Sequence, residues 1–132
     1  MTDRPTIAAY MARDLVTLAP DMEINRAMQV LLASHISGAP VVDAAGQLIG
    51  ILSQKDCLRA ALHATYHHDL GGVVADHMTR EVETLPADLD IFAACEHFLD
   101  SPYRRFPVLE QGRMVGQISR ADLLRALSAQ WR

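Results

Sequence analysis

Cysteine occurs twice in the 132 residues, at Cys57 and Cys95, and without CxxC spacing. That argues against a disulfide framework or a zinc site, so both read as small apolar packing residues. Excess positive charge is missing too. Twelve Lys and Arg stand against 16 Asp and Glu, a formal net charge of -4. Neither nucleic acid nor an anionic membrane has an electrostatic reason to bind, and no recognition helix is followed by a basic stripe. No apolar run approaches the roughly 18 residues of a membrane helix. The opening MTDRPTIAAYMARD lacks the apolar stretch of a signal peptide. A cytoplasmic protein with no membrane partner is expected.

Catalytic patterns are equally scarce. There is no GxSxG elbow, P-loop or HExxH, and Ser53 and Ser119 have no general base at fixed spacing. His63, His67 and His68, followed by Asp69, offer two imidazoles at i, i+4 that could face a metal from one helix. They lack a second ligand group and run into a linker, so solvated histidines are expected and no metal. The chain reads as a non-enzyme.

What is present is a repeat. Half of the residues are hydrophobic, enough for one well-buried core. YMARDLVTLAPDMEI at 10–24 aligns with HMTREVETLPADLDI at 77–91, and the match continues through Pro40-Val41 onto Pro107-Val108. After a one-residue deletion in a turn, Gly46, Gly50, Ser53, Asp56, Leu58, Arg59 and Ala60 fall identically on Gly112, Gly116, Ser119, Asp122, Leu124, Arg125 and Ala126. Repeats of this length are duplicated supersecondary units. The division is repeat 1 over 1–64, a polar linker over 65–72 and repeat 2 over 73–132.

Within each copy the hydrophobic period changes in the same order. Ile24, Ala27, Met28, Leu31 and Leu32, like Ile91, Ala94, Cys95, Phe98 and Leu99, follow the spacing of an amphipathic helix. Asp21 and Asp88 stand three residues before the first apolar position of those helices, placed to cap them or to favour their positive N-termini. Apolar segments 39–42 and 48–52, and 106–109 and 114–118, read as β-hairpins. Ser53 and Ser119 sit where an N-cap belongs, opening helices over 56–62 and 122–127. Short strands over 16–18 and 83–85 precede the amphipathic helices, and short helices near 7–12 and 73–78 precede those. The fold class is α/β (α+β): two β-α-β-β-α repeats.

The pieces YMARDLVTL, SGAPVVD and GILSQKD, then HMTREVETL, RRFPVLE and GQISRAD, together resemble the CBS domain, over nearly the whole chain and in both copies. The resemblance implies a tandem CBS pair, or Bateman module, packed with pseudo-twofold symmetry around two clefts that receive adenine nucleotides. By that likeness Asp56 and Asp122 of GxxSxxD accept ribose hydroxyls, helped by Ser53 and Ser119. The alternative is that each Asp merely favours its helix start. The Tyr103-Arg104-Arg105-Phe106-Pro107 run is similar to the basic pair before the LPV strand in the gamma subunit of AMP-activated protein kinase. There such residues reach phosphates. A guanidinium suits that task because it stays charged and grips oxygens bidentately. The alternative for Arg104 and Arg105 is a solvated edge or an ion pair. Ser37 and Gly38 occupy the aligned positions of the first copy, beside Pro40 as Pro107 stands in the second, leaving room but no charge. Backbone at Thr17 and Thr84 approaches the base edge by the same likeness.

The expected ligand is AMP, ADP, ATP or S-adenosylmethionine, with no cofactor required. The resemblance implies regulation of another polypeptide in trans and a homodimer. A structural dimerisation module with empty clefts is the alternative.

Overall fold

A computed structural model describes residues 4–67 and 71–131. A 3-10 turn, Ile7–Ala9, leads to α1 Ile24–Ala33, β1 Gly38–Val42, β2 Leu48–Ser53, α2 Gln54–His67 and α3 Val74–His77. Then follow β3 Leu85–Pro86, α4 Ile91–Leu99, β4 Arg105–Glu110, β5 Arg113–Ser119 and α5 Arg120–Gln130. The fold is mixed α and β, and each repeat carries the expected helix, antiparallel hairpin and helix.

The strands expected ahead of α1 and α4 are shorter than their apolar residues suggest. In the first copy a single parallel bridge joins Leu18 to Val41, and in the second β3 pairs only Leu85 with Val108 and Pro86 with Leu109. Pro20 has no N–H to donate and ends the first ladder, whereas in the second the Ala87 N–H still bonds the Leu109 carbonyl oxygen at 2.9 Å beyond Pro86.

The helices bury a narrower stripe than their sequence pattern. Ile24, Ala27 and Leu31 of α1, and Ile91, Ala94 and Phe98 of α4, are buried, but Leu32 and Leu99 are 65% and 86% exposed. At 3.6 residues per turn, a residue eight positions on is rotated by about 80° and leaves the buried face. Asp21 and Asp88 are not caps either. The helices begin at Ile24 and Ile91, so the capping positions are Glu23, which makes no side-chain cap, and Asp90. Asp90 accepts the N–H groups of Phe92 at 2.6 Å and Ala93 at 3.4 Å. Burial pushes its carboxyl up, but those N–H groups and the Arg4 guanidinium outweigh this and hold it below the usual carboxylate range.

The turns explain the one-residue deletion. Gln111 and Gly112 have φ of 52° and 80° between the paired Glu110 and Arg113, the two positive values that a type I′ hairpin requires. In the first copy Asp43 accepts the N–H groups of Ala45 and Gln47, both at 2.9 Å, and holds a longer loop.

The chain divides into two compact units, and they do not coincide with the sequence repeats: one comprises residues 1–15 with 83–132, the other residues 16–82. The short helical segment that opens each repeat therefore belongs with the other repeat's hairpin. In the first of these units Ile7 N–H bonds Leu89 at 2.9 Å, and Ala12 exchanges two backbone bonds with Gln117, each 2.9 Å. In the second, Val74 N–H bonds Met22 at 2.8 Å, and Thr79 exchanges bonds of 2.8 and 2.9 Å with Ile51. Each unit has its own core. One gathers Ile7, Leu85, Ile91, Phe98, Phe106 and Ile118; the other gathers Leu18, Leu31, Val41, Leu52 and Val74. Phe98 and Phe106 meet edge to face at 4.8 Å in the first.

This exchange gives the leading glycine of each GxxSxxD a reason. A Cβ on Gly116 would lie 2.6 Å from Met11 Sδ and 2.8 Å from the Ala12 carbonyl oxygen, and one on Gly50 would lie 2.6 Å from Met78 Sδ and 2.9 Å from the Thr79 carbonyl oxygen. Backbone in a paired strand cannot yield as a flexible side chain does. Gly116→Ala is expected to destabilise the chain by about 1–3 kcal/mol, the usual cost of overpacking. Thermal or urea unfolding checks it; an unchanged midpoint would show that the Met11–Ala12 segment has room to retreat.

Candidate functional site

The residues singled out from the sequence divide evenly between the two units. Thr17, Ser37, Gly38, Pro40, Ser53 and Asp56 lie in the unit over 16–82, and Thr84, Arg104, Arg105, Pro107, Ser119 and Asp122 in the other. Backbone bonds draw each set together. Gly38 pairs across the hairpin with Ser53, Ser37 accepts the Gln54 N–H at 2.8 Å, and Pro40 accepts the N–H of Leu18, next to Thr17, at 2.9 Å. Correspondingly, Arg105 pairs with Ser119, Arg104 accepts the Arg120 N–H at 3.2 Å, and Leu85, next to Thr84, pairs with Val108, next to Pro107.

Both aspartates are buried at the first turn of a helix, each locked in a reciprocal capping box. Ser119 Oγ accepts the Asp122 N–H at 3.2 Å, and Asp122 Oδ2 accepts the Ser119 N–H at 2.8 Å. Ser53 and Asp56 repeat this, both bonds at 3.0 Å. The helix-start role weighed from the sequence is thus real in both copies. It uses one carboxylate oxygen. The other takes a guanidinium from the next turn: Arg59 Nη1 donates to Asp56 Oδ1 at 3.1 Å, and Arg125 Nη2 to Asp122 Oδ1. The sequence carried that signal, an Asp and an Arg three apart on a helix, identical in both repeats. A further donor had none: Thr79 Oγ1, more than twenty residues from Asp56, lies 3.4 and 3.5 Å from its two oxygens.

A carboxylate offers about four acceptor positions, so these buried anions keep some capacity for a polyhydroxyl ligand. Among the described residues, no buried side-chain polar atom lacks a partner.

Arg104 and Arg105 are exposed, and among the described residues no acid forms an ion pair with either. Of the alternatives weighed for them, the ion pair does not form among the described residues. Gly38, at the position of Arg105, is not open space: a Cβ there would lie 3.2 Å from the Leu52 carbonyl oxygen and 3.3 Å from Ser53 Cα. The first copy thus lacks the charge and has no easy room for a side chain.

Cys57 and Cys95 are free thiols packed on the two cores. Burial, with the nearby charge of Asp56 or Asp90, pushes both above the usual thiol range and away from the reactive thiolate. His63 lines a pocket of about 220 Å³ with Ala60, Gly71, Gly72, Asp76 and His77, apart from all twelve candidate residues. The His67 side chain, His68 and Asp69 lie outside the described residues. Among the described residues no three metal-ligating side chains converge, and no helix is long and apolar enough to cross a membrane.

The sequence pattern described as CBS domain matches residues 7–63 and again 74–129. The chain is 29% identical over 125 residues to the protein MJ1225 of Methanocaldococcus jannaschii, covering 95% of this chain and 44% of that protein, so it spans less than half of that relative. Among solved structures, CBSX2 from Arabidopsis thaliana in complex with AMP superposes with a TM-score of 0.81 at 24% identity, over 96% of this chain and 98% of the other. The CBS domain pair of MJ0100, in complex with 5′-methylthioadenosine and S-adenosyl-L-methionine, gives 0.74 at 21% identity, over 97% and 99%. At these identities the superpositions establish a shared fold.

Proposed function

The chain belongs to the CBS domain family, and from that premise we propose that it is a non-catalytic sensor of an adenine nucleotide or related adenosyl ligand. The second repeat is the principal site. Asp122 accepts the ribose hydroxyls, Arg104 and Arg105 meet the phosphates, and Ser119, Pro107 and Thr84 frame the ligand. In the first repeat Asp56, Ser53, Ser37, Gly38, Pro40 and Thr17 form a weaker site for a phosphate-poor ligand. One observation carries this reading: two exposed guanidiniums, free of any acid among the described residues, stand just before and at the first position of the strand that pairs with Ser119. The AMP held by CBSX2 and the S-adenosylmethionine held by MJ0100 support the ligand class.

The output is regulation of another polypeptide in the cytoplasm. Ligand shifts that partner only insofar as the module's two conformations differ in affinity for it. Calorimetric titration of the pure chain with AMP, ADP, ATP, S-adenosylmethionine and NADH tests the assignment. Saturable binding of at least one is expected.

A second reading, a structural homodimerisation module, has its own support. Leu32 and Leu99, and Leu58 and Leu124, are exposed at equivalent positions of the two repeats. If none of the five ligands binds and light scattering gives a dimer, that reading takes over.

A further inference from the structure

The two buried aspartates differ in how many donors they already hold. Asp122 accepts the Ser119 N–H and the Arg125 guanidinium. Asp56 accepts the corresponding pair from Ser53 and Arg59, and in addition faces the Thr79 hydroxyl. The near-equal distances, 3.4 Å to Oδ1 and 3.5 Å to Oδ2, put that hydroxyl astride the two oxygens. A vicinal diol would chelate the carboxylate from the same edge. In the other unit the equivalent residue is Ala12: it bonds Gln117 as Thr79 bonds Ile51, and Gln117 and Ile51 are themselves aligned. At this position the copies differ by one hydroxyl.

We propose that Thr79 is a specificity-determining residue, whose hydroxyl occupies the diol-binding edge of Asp56 and leaves Asp122 as the carboxylate open to a ribose. This rests on the reading of the GxxSxxD aspartates given above. It makes the second repeat the preferred site even for a ligand without phosphate, independently of Arg104 and Arg105. Thr79 is exposed, so the hydroxyl meets the ligand directly and must be displaced before Asp56 can accept it. The segment exchange is essential, because Thr79 lies at the start of the second repeat in sequence yet serves the aspartate of the first.

Adenosine is the probe, titrated calorimetrically into the full chain, with Asp56→Asn and Asp122→Asn assigning each binding event to its repeat. In the unsubstituted chain, adenosine should bind tighter at Asp122. Thr79→Val, which keeps the shape and strand preference but removes the hydroxyl, should tighten the Asp56 site about fivefold, a modest gain because the bond removed is long, 3.4 to 3.5 Å. Thr79→Ser should restore the original affinity, and Ala12→Thr should weaken the Asp122 site about fivefold. Unfolding midpoints confirm that each variant is folded. If Asp122→Asn abolishes binding but Thr79→Val leaves the Asp56 site unchanged or weaker, this inference fails while the ribose assignment stands. Equal affinity at the two sites of the unsubstituted chain overturns it as well. If neither the unsubstituted chain nor Thr79→Val binds adenosine, the ribose assignment fails and this inference with it.

Discussion

Replacing Arg104 and Arg105 together with alanine is expected to weaken AMP and ATP by roughly ten- to a hundredfold, while adenosine changes by less than about twofold. A hydrogen bond to a charged group contributes about 1.5–3 kcal/mol, and every 1.4 kcal/mol is about a decade in affinity. Two such contacts on one phosphate group are not additive, so the double replacement is placed at one to two decades. Both side chains are exposed, so salt should screen them. Raising ionic strength from 0.1 M to 1 M shortens the Debye length from about 10 Å to about 3 Å and should erode nucleotide affinity selectively. Calorimetry on AMP, ATP and adenosine at two salt concentrations reads all of this. An equal fall for adenosine and AMP would remove the arginines from the phosphate site and leave them a solvated strand edge.

The second large effect belongs to Asp122. In Asp122→Asn the side-chain oxygen can still accept the Ser119 N–H, but the amide nitrogen then faces the Arg125 guanidinium, donor against donor. Stability should fall by about 1 kcal/mol or less, since the arginine is 64% exposed and solvent screens the pair. AMP affinity should fall by one to two decades, because charged acceptors for the ribose hydroxyls are lost. Helix-start and ligand roles would have been separable by stability alone if a residue held only one of them. The capping box and its arginine make a loss of stability expected on either account, so affinity is what discriminates. Ligand-dependent thermal shift separates the two: a stability loss displaces the whole curve, whereas weakened binding shrinks the increment that ligand adds. At a hundred times its dissociation constant, ligand stabilises by about 2.7 kcal/mol. An undiminished increment with a lowered baseline would confine Asp122 to its helix.

Much of this was legible in the residues themselves. Ile24, Ala27 and Leu31, with Ile91, Ala94 and Phe98, announced two amphipathic helices by spacing alone, and those side chains are the buried ones. Leu32 and Leu99 fitted the same pattern and are exposed, because periodicity marks a face without marking where its edge falls. Asp21 and Asp88 looked like caps for a similar reason: a helix start read from apolar spacing carries an error of a residue or two, and capping chemistry depends on the exact residue. The Ser and Asp of each GxxSxxD were recognisable as a helix start because both bonds of the box close within three residues. Such contacts are local, and sequence encodes local contacts directly.

By itself, then, the sequence determined the duplication, the order of elements in each copy, the two hairpins, and the family, since each depends on residues within one supersecondary unit. Only the tertiary structure decided which segment packs with which hairpin. It set Met11 and Ala12 against Gly116, Met78 and Thr79 against Gly50, and the Thr79 hydroxyl against Asp56. Those pairings join residues far apart in the chain through small side chains and backbone groups. Nothing in the spacing of either partner names the other, because a glycine chosen for close approach and a threonine chosen for one hydroxyl leave no periodic trace.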